Sequence, residues 1–218
     1  MSGAAQMTNP ADTSMDAAES QKRKDILEGA RAIFRAEGFD GASMGKIAAA
    51  AKVSKGTLYV YFDSKETLFR ELVIADRKDA AERIFRIEPE EESDFVEALT
   101  ELGIRFVSSM LSRDHIALIR MVMGASEKFP EVGQEFFRTG PCYGINRLAD
   151  CLRQQVAAGE LQIDDELELA AAHFLNLCQG NLAKQALFGI RDVPTPDEIR
   201  RTVDSAVRIF MRAYGKTA

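Results

Sequence analysis

Only six prolines interrupt this 218-residue chain, at positions 10, 89, 130, 141, 194 and 196. The stretches between them are long and rich in alanine and leucine. Such segments keep every backbone N–H available for an i→i−4 ladder, and that points to helices throughout. The expectation is an all-α protein. The length leaves room for one large domain or two modest ones. With 46% hydrophobic and 28% charged residues, the chain has the balance of an ordinary folded domain. No apolar run approaches the roughly 20 residues of a membrane span, so no membrane partner is expected. The opening residues MSGAAQMTNPADTSMDAAES lack the basic start and apolar core of a signal peptide. Residues 1–18 read as a disordered polar tail. Three cysteines, Cys142, Cys151 and Cys178, show no CxxC spacing, and a reducing cytoplasm is their simplest home.

Along the chain, a first helix is expected from about Glu19 to Glu37, with Ile26, Ala30, Ile33 and Phe34 at helical spacing. Gly38 supplies its stop and Phe39 an apolar clasp. Ser43 caps a short second helix, MGKIAAAAK, with Ile47, Ala48 and Ala51 facing inward. Val53 fills a turn, and Ser54 caps a short third helix. Asp63 and Glu66 match a capping box for a fourth helix running through about Arg86. Two short helices joined by a tight turn, braced by a third, form the helix-turn-helix layout.

The third helix, within VSKGTLYVYF, has an unusual outer face. At about 100° per residue, Leu58 and Phe62 share one side and must point to a core. Val60 lies opposite them, with Gly56 and Thr57 beside it and Tyr59 and Tyr61 on its flanks. A valine, a glycine and two tyrosines make a poor solvated surface but a good major-groove surface. Thr57 and Val60 can touch thymine methyls, Tyr59 can reach base edges or phosphates, and Gly56 lets the backbone come close. Lys55 and Lys65 are candidates for phosphates. Charge agrees: net charge is −6, yet Lys22 to Arg70 holds ten basic residues against six acidic. Gly41 to Phe62 holds three lysines and no acid. A small basic head on an acidic body suits a nucleic-acid contact at one end.

The run GFDGASMGKIAAAAKVSKGTLYVYFDSKETLF, Gly38 to Phe69, resembles the DNA-binding domain of TetR/AcrR-family transcriptional regulators. The resemblance implies a three-helix helix-turn-helix domain over 19–68 and a helical effector-binding and dimerisation domain over 69–218. It implies that Ser43 and Lys46 approach the DNA backbone, that Lys55 to Tyr61 apart from Leu58 form the recognition helix, and that Lys65 anchors a phosphate. Gly45 departs from the pattern, standing where relatives often carry a larger polar side chain. Its side-chain contact is therefore missing, and no relative's operator preference carries over.

The remainder reads as helices at about Asp94–Leu111, Arg113–Lys128, Glu131–Ala158, Asp164–Phe188 and Pro196–Tyr214. Breaks are expected at Pro89, Phe129-Pro130, Gly140-Pro141, Gly159-Glu160 and GIRDVPTP, with Pro141 kinking or splitting its helix. MVMGASEKFPEVGQEFFRTGP followed by LRQQVAAGEL is similar to the AefR-like branch of the same family. The resemblance implies a homodimer through the last two helices, where Ala170, Phe174 and Leu177 face Val203, Val207 and Phe210. A face buried within one subunit would show the same stripe. Candidate pocket residues are Phe106, Met110, Arg120, Met121, Phe137, Tyr143, His173, Phe174 and Asn176.

The partners expected are a double-stranded DNA operator, a second copy of the chain and a small apolar or amphipathic effector, with no cofactor. His115 and His173 lack metal-ligand spacing with any Cys or His, so no metal site is expected. A redox-responsive regulator using the cysteines is an alternative reading. An all-helical enzyme is another, although HExxH, a phosphate-cradling glycine loop and a nucleophile elbow are all missing. A nonspecific architectural DNA binder fits poorly with so small a basic head.

Overall fold

The structure is a computed structural model that describes residues 10–85 and 94–216, with side chains from Glu19 onward except at 78–80. Among these residues it is helical, with one isolated bridge between Leu161 and Gly215. The chain divides into two compact units, 1–72 and 73–218. The division falls inside the fourth helix, a few residues later than the expected boundary at 68.

In the first unit, α1 spans Pro10–Gly41, α2 Met44–Ala50 and α3 Lys55–Tyr61, and α4 spans Lys65–Ile84. Helix α1 starts at Pro10, nine residues before the expected start, so residues 10–18 are helical rather than tail. Residues 1–9 of that expected tail and the expected break at Pro89 lie outside the described residues. Gly38 takes φ 73° and interrupts α1, a conformation that costs glycine nothing. Phe39 then folds back into a cluster with Phe34 and Phe69, their centroids 4.9–6.0 Å apart. Ile26, Phe34, Ile47, Ala48, Leu58 and Phe62 complete this small core.

Ser43 and Ser54 cap α2 and α3 as expected, each accepting from the backbone N–H three residues on. The cap of α4 differs. Ser64, not Asp63, accepts from Thr67 N at 3.1 Å. Ser64 immediately precedes α4, the position from which a hydroxyl caps a free first-turn N–H. The turn between α2 and α3 closes through Lys52 N to Ala49 O and Val53 N to Ala48 O. Lys52 occupies the left-handed position of this Schellman-type stop at φ 55°.

In the second unit, α5 spans Phe95–Met110, α6 Arg113–Ser126, α7 Pro130–Phe137 and α8 Tyr143–Ala157. Then follow α9 (Leu167–Gln179), α10 (Leu182–Leu187) and α11 (Pro196–Tyr214). The long helix expected over Glu131–Ala158 is divided by a π-helical turn at Arg138–Cys142. Pro141 offers no N–H, and the wider turn absorbs the lost bond. The helix expected over Asp164–Phe188 is cut at Gly180, where φ is 48°. Thr195 and Glu198 form a reciprocal capping box at the start of α11.

The core of this unit packs α5, α8, α9 and α11 together. Phe174 meets Phe210 edge-on at 5.4 Å, and Phe210 meets Tyr214 at 4.9 Å. This corrects the expected dimer stripe: Ala170, Phe174, Val203, Val207 and Phe210 are at most 4% exposed within the single chain. Side chains so covered have almost no surface left for a partner; Leu177 is half-buried. The apolar groups still exposed nearby are Leu169 on α9, Ile209 on α11, and Phe188, Ile190 and Val193 between α10 and α11.

Among the glycines of the first unit, Gly29 on α1 leaves the least room for a side chain. A Cβ there would lie 2.7 Å from Ala51 N and 2.8 Å from Ala51 Cβ. Backbone cannot yield as a flexible side chain can, so Gly29→Ala is expected to lower stability by about 1–3 kcal/mol. Urea unfolding checks this; an unchanged midpoint would mean that α1 and α2 have room to separate.

Candidate nucleic-acid interface and ligand cavity

The outward face of α3 is built by elimination. Leu58, fully buried, and Phe62 fix the rotation of the helix, and the remaining residues are turned away from the core. Val60 is 81% exposed and Tyr59 50%. Gly56 and Lys55 are exposed, and Thr57 and Tyr61 are half-buried. Thr57 is already engaged: its N–H donates to Ser54 Oγ at 2.9 Å, and the two hydroxyls are 2.8 Å apart. Its methyl is the part left for an apolar contact. Lys55 folds over Gly45, where a Cβ would lie 3.0 Å from Lys55 Cε. The missing side chain at Gly45 thus gives Lys55 its resting place.

The other basic candidates have partners inside the first unit. Ser43 accepts from Lys46 N at 3.4 Å. Lys46 Nζ pairs with Glu37 at 2.6 Å and lies 3.4 Å from Gly41 O. Lys65, the expected phosphate anchor, already has partners inside the unit. Its ammonium donates to Phe39 O at 2.8 Å and Ala42 O at 3.2 Å, and lies 4.5 Å from the Phe39 ring. It ties the start of α4 to the end of α1, with one N–H remaining. Sequence spacing could not show this, because the acceptors lie 23 and 26 residues upstream.

Within the second unit a cavity of about 450 Å³ opens among α4, α5, α6, α7, the π-helical turn, α8 and α9. Of the expected pocket residues, Phe106, Met110, Phe137 and Asn176 line it. Met121, Tyr143 and His173 are not on its wall, and Phe174 is fully buried in the core. Arg120 is elsewhere too, donating to Leu187 O at 3.0 Å and Ala186 O at 2.8 Å. The wall includes residues that sequence reasoning missed: Ile84, Phe85, Ile119, Gly144, Ile145 and, above all, Arg77. A basic residue in the middle of α4 gives no local signal of facing inward.

Arg77 is 5% exposed. Its Nη1 lies 3.1 Å from His115 Nδ1, and its guanidinium lies 4.8 Å from the Phe136 ring centroid. Burial lowers its pKa to about 10, still far above neutrality. Burial first, and then the Arg77 charge, lower His115 to about 3, so the imidazole is neutral and accepts from the cation. Burial raises the pKa of the Cys151 thiol and pushes that of Cys178 up to about 12, so these two hold little thiolate at neutral pH. Among the described residues no group of three or more His, Cys, Asp and Glu could hold a metal ion, and no helix is long and apolar enough to cross a membrane.

Comparison with known proteins agrees with this architecture. Residues 26–72 match the family described as bacterial regulatory proteins, tetR family. Residues 97–216 match the AefR-like transcriptional repressor C-terminal domain. The chain is similar to the HTH-type transcriptional regulator UidR of Escherichia coli (strain K12), 30% identical over 74% of this chain and 80% of that protein. It is similar to a solved TetR-family regulator from Mesorhizobium loti MAFF303099, with TM-score 0.84, 27% identity and coverage of 90% and 98% of the two chains. The flavonoid-responsive regulator FrrA is 32% identical, with TM-score 0.78 and coverage of 91% and 100%.

The His115 environment predicts a pH dependence. Unfolded histidine binds a proton near pH 6.5, whereas the folded group waits until about 3. Stability is therefore full above pH 6.5 and is lost as pH falls through that window, by about 3 kcal/mol near pH 4.5. In His115→Gln this acid sensitivity should flatten. Melting curves from pH 7.5 to 4.5 check it, and equal slopes in the two proteins would contradict it.

Proposed function

The chain belongs to the TetR family of bacterial regulatory proteins, and we propose that it is a dimeric repressor released from a palindromic operator when a small molecule fills the cavity. DNA-binding regulation of transcription is its activity; it is a regulator and not an enzyme. Val60 carries the DNA-reading assignment: turned outward by the burial of Leu58 and Phe62 and four-fifths exposed, it stands beside Gly56 and Thr57 as the centre of an apolar face that includes exposed Tyr59. On this reading, Thr57 and Val60 meet thymine methyls, Tyr59 and Tyr61 reach base edges or phosphates, and the backbone at Gly56 approaches the duplex closely. Lys46 and Lys55 meet phosphates, as does the remaining N–H of Lys65.

A seven-residue reader spans few base pairs. Two copies related by a two-fold axis, with heads about 34 Å apart, would read successive major grooves. The exposed Leu169, Ile209 and Phe188 are the apolar groups from which such a pairing could be built. The repressor sense is supported by the match of the second unit to an AefR-like transcriptional repressor domain. The apolar character of the effector is supported by the Phe106, Phe136 and Met110 wall, and by FrrA, a relative that responds to flavonoids. Helix α4 is shared by the two units, so an occupant touching it can bias the head. A differential affinity of about 1–3 kcal/mol would change DNA binding 5- to 150-fold. Operator binding places the protein in the cytoplasm, with the DNA.

Selection from random duplexes followed by binding titrations tests the assignment. Val60→Ala and Thr57→Ala should relax sequence preference, and a uniform loss at every sequence would contradict base reading. Lys65→Ala should weaken binding to all sequences and reduce the salt slope by about one unit. Glu37→Gln frees Lys46 of its 2.6 Å partner and removes a negative charge near the duplex. Affinity should rise about two- to five-fold at low salt and converge with wild type at high salt. An affinity unchanged at low salt would remove Lys46 from the interface.

A further inference from the structure

Arg77 is the one described polar or charged residue buried to this degree, and the described residues around it do not balance its charge. Its Nε has no hydrogen-bond partner. No ion pair with a carboxylate forms among the described residues, and the Nη1 contact is to a neutral imidazole. Phe136 stacks on its face, and the rest of the nearby wall is apolar. A buried cation left this way costs several kcal/mol unless an anion joins it.

The surroundings also hold the guanidinium in place. Gly140, buried in the π-helical turn, lies so close that a Cβ there would overlap Nε, Nη2 and Cζ of Arg77, all within 3 Å. The turn forced by Pro141 and the bare Cα of Gly140 make the space in which the guanidinium rests. His115, itself stacked on Phe136 at 6.1 Å, stops it from swinging away. A charged group held on three sides, by the Gly140 turn, His115 and Phe136, and open to a 450 Å³ cavity is the polar end of an amphipathic site.

We propose that the effector is an organic anion, an apolar or aromatic body bearing one carboxylate, and that Arg77 receives the carboxylate. The inference rests on the cavity being the effector site. Guanidinium and carboxylate match in geometry and charge. The wall of Phe85, Phe106, Phe136 and Ile145 takes the apolar body, and Asn176 and Gln179 lie at the cavity's remaining polar positions.

Calorimetric titration of the full chain at pH 7.5 tests this with two matched pairs: 2-naphthoate against its methyl ester, and decanoate against 1-decanol. At least one carboxylate should bind roughly ten- to hundred-fold more tightly than its neutral partner. Arg77→Met should erase that preference while leaving the neutral compound's affinity unchanged, which also shows that the variant is folded. Arg77→Lys should retain part of the preference. Gly140→Ala, which displaces the guanidinium, should reduce it without removing the charge. A neutral partner that binds wild type as tightly, or a preference that survives Arg77→Met, overturns the proposal but leaves the cavity as an effector site. No saturable binding by any of the four compounds overturns both.

Discussion

Burial of Leu58 and Phe62 against the small core of the first unit fixes the rotation of α3, and almost everything proposed for this protein follows from that rotation. With those two side chains inside, Val60 has no choice but to face outward. Tyr59 and Gly56 are exposed on the same helix, and Tyr61 is half-covered. The core that holds them is itself tight. Phe34, Phe39 and Phe69 form its centre, Gly29 admits Ala51 at backbone contact distance, and Lys65 closes the far side through two carbonyl groups. A reader of seven residues cannot hold its own shape in water. The rigidity comes from this packing.

The electrostatics of the head are arranged with restraint. Lys46 is paired with Glu37 and Lys65 is occupied by carbonyls. Lys55 rests across Gly45. Lys46 must therefore exchange Glu37 for a phosphate, and Lys65 has one N–H left to offer, so neither is a loose charge waiting on the surface. That keeps the phosphate contribution modest and leaves more of the discrimination to the α3 face. The net negative charge of the whole chain works in the same direction, since it disfavours indiscriminate attachment to nucleic acid.

The head was legible in the sequence because its signals are local. Caps at Ser43 and Ser54, the Gly38 stop and the 3.6-residue period each lie within a turn or two of what they control. The body was legible only as helices. The stripe Val203, Val207, Phe210 was real, but periodicity cannot say whether a face is covered by its own chain or by another copy. The structure shows its own chain covering it. Arg77 is the extreme case. Its burial depends on His115, Phe136 and Gly140, which lie 38 to 63 positions downstream. Nothing near it in sequence marks it as different from the other basic residues of α4. Likewise Arg120, expected in the pocket, is held by two carbonyls of the last turn of α10, 66 and 67 residues away.

The most direct test of the central claim is an anisotropy titration of the purified protein against a labelled duplex from the region upstream of its own gene, in excess nonspecific competitor, alongside duplexes recovered from random selection. The account predicts saturable binding of a dimer that survives the competitor on at least one of these duplexes. It also predicts that binding is lost in Tyr59→Ala while the dimer persists. Binding that the competitor abolishes on every duplex, or that Tyr59→Ala leaves intact, would contradict the assignment of the α3 face as a reader of DNA sequence.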